Sequence, residues 1–208
     1  MSDASTNKTV KAVEETLRSL GVARSFFDDL LTKGDDWTFV IKIHALVEAA
    51  LTHLLIAELE RPELTEVIAK LETSNNRTGK VAFIKSLKLL DDNHQRFVRA
   101  LSELRNGLVH DVRNTSFSFS TQVSSLGDGQ ARDIRRKAEK CVEYASNYFK
   151  ESFDLGGQRA TREQFARENP RLVIYLATFF TLGNIYHELG GGDPLVRALM
   201  KVRRRQSN

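Results

Sequence analysis

The segment from Trp37 to Leu59 constrains this chain more than any other, because it is apolar almost all the way round a helix. In WTFVIKIHALVEAALTHLLIAEL the polar residues are few, and His44, Glu48 and Thr52 fall four apart in one narrow stripe. A helix with so little polar surface belongs in the middle of a bundle or at a subunit interface. The flanking sequence supplies helices to cover it. Val10, Val13, Leu17 and Leu20, then Phe26, Phe27, Leu30 and Leu31, recur at helical spacing, with Gly21 as a weak point. Gly34 stops that run, and Asp35 or Asp36 is placed to N-cap the apolar helix.

Pro62 opens a short helix to about Leu71, and SNNRTG reads as a loop. Lys80 to Leu90 is amphipathic, with Val81, Ile84 and Leu87 facing inward and Phe83 a further candidate. A helix from about Asp92 to His110 carries the core stripe Phe97, Leu101, Leu104 and Leu108. Residues 114–129, NTSFSFSTQVSSLGDG, change character and read as a long loop or a small β-like excursion. Helices resume at about 129–153, at about 162–168 and from Arg171 to Leu189, and a last one follows GGGDP. The uncharged stretch Leu172–Tyr186, with Phe179, Phe180 and Tyr186, is bundle core or subunit interface; the frequency of two-fold dimers favours the interface. The expected fold is all-α: an up-and-down helical bundle over residues 1–160, with residues 161–208 a C-terminal helical extension packed on the same domain.

Composition narrows the setting. At 41% apolar and 28% charged the chain has material for a real core. A single cysteine, Cys141, excludes an internal disulfide framework and a Cys-based zinc site, which suits a reducing compartment. The first residues carry no apolar signal region, and Leu172–His187 is short of the ~20 apolar residues of a membrane span. The expectation is a soluble, cytoplasmic protein with no membrane partner. Charge is uneven: residues 1–104 hold 14 Lys/Arg against 16 Asp/Glu, and residues 105–208 hold 17 against 11. The surplus base, in Arg132, Arg135, Arg136, Lys137 and Lys140 and in Lys201, Arg203, Arg204 and Arg205, suits an anionic partner such as nucleic acid as well as it suits solvated helix faces and a loose tail.

Several chemical signals are weak. Thr78-Gly79-Lys80 resembles the end of a phosphate-binding loop but lacks the upstream glycine and a preceding strand. Gly190-Gly191-Gly192 reads as a helix terminator. His44, Glu48 and His53 do not share one helix face, so a buried polar stripe satisfied by neighbours outranks a metal site. Cys141 reads as a small core residue. One segment stands apart: Leu101-Ser-Glu-Leu-Arg105-Asn106-Gly-Leu-Val-His110-Asp111. Five residues along an ideal helix turn Arg105 and His110 about 140° apart, and they converge only if the last turn loosens, which Gly107 would ease. Read alone, Arg105 at a core edge and His110 at a helix C-terminus are also ordinary.

The run Arg105-Asn106-Gly107-Leu108-Val109-His110 resembles the signature of the HEPN superfamily: an Arg, a polar residue, and a His four to six positions after the Arg near a helix end. The surrounding order is similar too. An apolar helix with an internal acid, Glu48, precedes a short amphipathic helix, GKVAFIKSLKLLDD, and then the motif helix, as in the mannitol-operon-repressor-like type. The likeness covers roughly residues 35–112. It implies an all-α bundle that forms a homodimer, with two Arg/His pairs around a shared cleft. It also implies a metal-independent, cofactor-free endoribonuclease, a toxin or antiviral defence effector with RNA as substrate and an antitoxin or regulatory protein as a further partner. Arg105, Asn106 and His110 match the motif positions, and Glu48 is the softer carry-over.

The chemistry suits these residue types. RNA carries its own nucleophile, the 2′-OH, and an imidazole of ordinary pKa about 6.5 moves protons either way near neutrality. A guanidinium presents a planar fork to two phosphoryl oxygens. Arg132, Arg135 and Arg136 are the expected RNA-binding residues, and Phe117 and Phe119 either stack on bases or anchor their loop. The competing reading is a catalytically inactive HEPN-like regulatory or adaptor module, or a nucleic-acid-binding one of transcriptional-repressor type. For the latter, GGGDP is a poor match to the tight turn of a helix-turn-helix.

Overall fold

The computed structural model describes residues 3–120, 129–149, 151–155 and 158–206. Helices α1 (Asp3–Ser19) and α2 (Arg24–Thr32) are separated where Gly21 takes a left-handed conformation, the break expected there. The apolar segment is one long helix, α3 (Asp36–Leu59), whose N-cap Asp35 accepts from the Thr38 amide. It passes a length-and-composition test for a membrane span, yet 61% of that window is buried inside the protein. Here an all-round apolar helix signals the centre of a bundle.

A 3₁₀ turn (Pro62–Leu64) and α4 (Thr65–Ala69) lead to α5 (Lys80–Ser86), and α6 (Asp92–Val109) carries the motif. α5 is shorter than its pattern predicts: Lys88 turns left-handed and closes it, Leu87 is half-buried and Phe83 stands exposed, while Val81 and Ile84 face inward. After a 3₁₀ turn (Val112–Ser116) the chain continues in α7 (Gly129–Ser146); residues 121–128 of the expected Ser/Thr-rich loop lie outside the described residues. The helix expected to reach about 153 stops at Ser146, and an antiparallel hairpin follows, β1 (Ser152–Leu155) on β2 (Gln158–Thr161), in register Ser152 opposite Thr161. In the sequence two glycines separate the paired runs. Then come α8 (Arg162–Glu168), α9 (Pro170–Glu188) and α10 (Pro194–Gln206).

Four helices close a ring: α3 packs on α6, α6 on α7, α7 on α9, and α9 back on α3. Leu51, Leu54, Leu55, Phe97, Leu101, Leu104, Cys141, Ile174 and Leu182 are all essentially inaccessible within it. α1 lies across α9, where Thr16 donates to the Leu182 carbonyl and a side chain on Gly183 would meet Thr9. Of the two settings expected for Leu172–Tyr186, bundle core is the one its inner face fills. α9 is apolar because α1, α3 and α7 all cover it, burying Val173, Ile174, Ala177 and Ile185. α10 crosses the end of α3, where Lys201 donates to the Ala57 and Glu58 carbonyls that the helix C-terminus leaves open. The backbone of the basic tail stays helical to Gln206, and the side chains of Arg203, Arg204 and Arg205 lie outside the described residues.

Candidate functional site

The C-terminal end of α6 is tied to the rest of the bundle at its open carbonyls. Leu108 O accepts from the Trp37 indole at the start of α3, and Gly107 O accepts from the Asn114 amide of the following 3₁₀ turn. Phe117 and Phe119, edge to face at 5.0 Å, rest against the core, and the Phe119 amide and Ser118 hydroxyl donate to Asp36. Of the two roles open to these phenylalanines, anchoring is the one they fill.

Arg105 and Asn106 sit half-buried on the motif helix. The Arg105 Nη1 donates to Asn106 Oδ1 at 3.1 Å, and Asn106 Nδ2 donates to the Glu72 carboxylate at 3.0 Å. Among the described residues the guanidinium has no other hydrogen-bond partner, so most of its fork is open to an acceptor from outside. His110 is the exposed cap residue just past α6, with no partner among the described residues. α6 remains an α-helix through Val109, so the loosened last turn that would bring Arg105 and His110 together does not form. The helical step between them leaves the two side chains about 140° apart around the axis.

Glu48 lies deeper, on α3. Its Oε1 accepts from Lys80 Nζ and from the Thr73 hydroxyl, both at 2.9 Å, and its Oε2 stands 3.8 Å from His44 Nδ1. Lys80 is wholly inaccessible and spends all three ammonium protons: on Glu48, on the Ala69 carbonyl and on the Leu71 carbonyl. Sequence reading missed Lys80, weighing it only as part of a weak phosphate-loop match. A buried lysine is legible only as a pair, and its partner lies 32 positions away. Burial raises the cost of ionising Glu48, but the Lys80 hydrogen bond, His44 and Thr73 together hold its carboxyl below the usual range. Burial pushes the His44 imidazole down to about 4, against the pull of Glu48 and with Arg105 and Lys80 adding to the fall. His44 is therefore neutral near pH 7. Its Nε2 is buried with no hydrogen-bond partner among the described residues, so the stripe expected to be satisfied by neighbours is satisfied at Glu48 and Thr52 but not at this nitrogen.

α7 packs on the side of α6 that points away from Arg105: Lys140 pairs with Glu103, and a Cβ on Gly107 would stand 3.4 Å from the Lys137 side chain. Arg132, Arg135 and Arg136 are exposed around Lys137; Arg135 pairs with Glu139, while Arg136 and Lys137 share Asp133. Among the described residues no group of three His, Cys, Asp or Glu side chains is placed to hold a metal ion. Cys141 is fully buried, and burial drives its thiol far above the ordinary value, leaving it inert.

The structure thus gathers Arg105, Asn106, Glu72, Lys80, Glu48 and His44 at one end of the bundle, leaves His110 exposed just past α6, and does not bring Arg132, Arg135 and Arg136 into contact with them. No protein-family model, curated protein or solved structure matches this chain.

Proposed function

We propose that this protein is a metal-independent endoribonuclease of HEPN type, a toxin or antiviral defence effector acting on RNA as a homodimer. The observation that carries the reading is the state of Arg105: half-buried on the motif helix, held at one nitrogen by Asn106, and with no other hydrogen-bond partner among the described residues. In this reading the guanidinium binds two non-bridging oxygens of a phosphodiester and steadies the charge that grows on them during attack. Because Arg105 and His110 of one subunit diverge, the partner subunit's His110 takes the proton of the ribose 2′-OH at that phosphate. The 2′-oxygen bonds to phosphorus, the bond to the 5′-oxygen breaks, and water returns a proton to that oxygen. The products are a 2′,3′-cyclic phosphate and a 5′-hydroxyl. Glu48 is engaged by Lys80 and Thr73 and serves to hold the site rather than to move protons. Arg132, Arg135 and Arg136 carry the flanking backbone.

The test is purified protein on total RNA and on tRNA, with and without EDTA, beside His110→Ala and Arg105→Ala. Expected are cleavage unchanged by EDTA, termini of the stated chemistry, no action on DNA, and loss of cleavage in both variants. Cleavage in both variants equal to the unaltered protein would sink it. A second reading, a silent HEPN-like module that binds without cutting, is favoured by the regular helix that keeps Arg105 and His110 on diverging faces. Intact RNA with a folded, RNA-binding dimer would select it.

A further inference from the structure

We infer that Glu72, which no motif marks, is a positioning residue for Arg105, presented to it by a loop that the buried Lys80 locks in place. The inference rests on the reading of Arg105 as the phosphate-binding group. Its physical basis begins at Lys80, where α5 starts. The ammonium clasps the Ala69 and Leu71 carbonyls at 3.0 and 2.7 Å, on either side of Lys70, and is itself neutralised by Glu48. The backbone amides of Lys80 and Val81 donate to the Glu72 and Thr73 carbonyls, which serves two otherwise open donors of α5 and pins the far side of the loop. Between them, residue 79 has to be glycine: a Cβ there would lie 2.5 Å from the Glu72 carbonyl oxygen and 2.6 Å from that of Asn75. The Glu72 backbone is thus held from both ends, although its side chain is exposed.

That stiffness is what lets an exposed carboxylate orient a neighbour, since a surface hydrogen bond on a mobile loop fixes little. Glu72 Oε1 accepts from the Ser74 hydroxyl and from Asn106 Nδ2. With both amide protons' side turned to Glu72, Asn106 is left with its carbonyl oxygen facing Arg105, the only orientation in which it accepts from the guanidinium. The order is loop, carboxylate, amide, guanidinium. Glu72 touches no substrate in this scheme; it sets the direction of the fork that does.

The experiment compares Glu72→Gln with Glu72→Ala in the full-length protein. Both remove the charge, but only glutamine keeps an oxygen that accepts from Asn106, so their difference reports orientation and not electrostatic attraction. One arm reads the ¹⁵N signals of the Arg105 guanidinium, assigned by their loss in Arg105→Lys. The other measures binding of a mixed-sequence 2′-O-methylated oligoribonucleotide, which supplies phosphodiesters but no nucleophile. Expected are hindered Arg105 Nη rotation in Glu72→Gln and free rotation in Glu72→Ala, with about threefold or greater weakening of oligonucleotide binding in the alanine variant relative to glutamine. Equal behaviour of the two variants in both arms overturns the inference. If the guanidinium signals differ while Arg105→Ala binds the oligonucleotide as well as the unaltered protein, the positioning link stands and the RNA reading falls. Asn106→Leu cuts the same chain from the other side and should match Glu72→Ala in the first arm.

Discussion

Two buried histidines mark two ends of α6, and they are built differently. His94, in the first turn, has both ring nitrogens occupied: Nδ1 meets the Tyr148 hydroxyl at 2.6 Å and Thr181 at 3.1 Å, and Nε2 meets the Asn184 amide at 2.9 Å. Its partners come from α7's exit and from α9, so the cluster clasps three walls of the bundle together. Each has a carboxylate at 3.8 Å, Asp91 for His94 and Glu48 for His44, but His44, near the other end, adds a buried ammonium and a guanidinium close enough to shift its pKa, and its Nε2 has no partner among the described residues. A polar network whose ring nitrogens are both hydrogen-bonded stabilises a unique packing and has no capacity left for anything else. A network with an ion pair and an unused nitrogen costs stability, and such groups concentrate where binding or chemistry takes place. The His94 end is architecture, and the His44 end is the candidate site.

Four changes break or sharpen that contrast. The largest effect is expected from Lys80→Met, which leaves the Glu48 carboxylate and the Ala69 and Leu71 carbonyls without their shared donor. The cost is about 3 kcal/mol, at the low end for a broken buried pair because Glu48 is partly exposed. Calorimetry should show Tm lower by roughly 10 °C. A fall of a degree or two would mean the pair anchors nothing.

Next comes acid sensitivity. His44 is held at about 4 in the folded protein against 6.5 unfolded, so between those values the unfolded chain takes up a proton that the folded chain refuses. Stability is full above pH 6.5 and declines toward pH 4. Glu48, held below its ordinary value, adds a loss as pH falls below about 4.5 and on through its folded value. Tm measured from pH 7 to pH 5 should drop in the unaltered protein and flatten in His44→Gln. An identical slope in both would place the effect elsewhere, with His94, also lowered by burial, the first alternative.

Tyr148→Phe removes one of two partners of His94 Nδ1 and leaves Thr181 in place. Its expected cost is about 1 kcal/mol in urea titration, with oligonucleotide binding untouched. Weakened binding would blur the line between the two ends. The smallest stability effect belongs to Arg135→Ala, which loses an exposed pair with Glu139 and should shift stability by less than about 0.5 kcal/mol. Its signature lies in RNA affinity, through a shallower dependence on salt.

Much of this was legible from pattern alone. The long apolar helix α3, an N-cap at Asp35 or Asp36 that the structure places at Asp35, the stripe Phe97/Leu101/Leu104/Leu108 and the burial of Cys141 all follow from local rules and stand in the structure. The hairpin after α7 shows in the sequence only through the glycine pair that separates its strands, because a four-residue strand carries too few residues to show a period. The apolar stretch of α9 left core and interface both open, because an apolar surface records that it is covered, not by what. Glu72 and Lys80 were missed for a related reason: each is unremarkable beside its sequence neighbours and gains meaning only from residues 34 and 32 positions away.

Periodicity, capping residues and the apolar run at 37–59 determined, without any coordinates, that this chain is a helical bundle and where its longest buried helix lies. Those properties are local, since hydrophobic spacing and backbone propensity act within a turn or two. Which polar side chains meet was decided only by tertiary packing. The clasp of Lys80 on Glu48, the reach of Glu72 to Asn106 and the exposed seat of His110 depend on how separate elements close on one another, and the free energy of a charge pair exists only once both partners share a site.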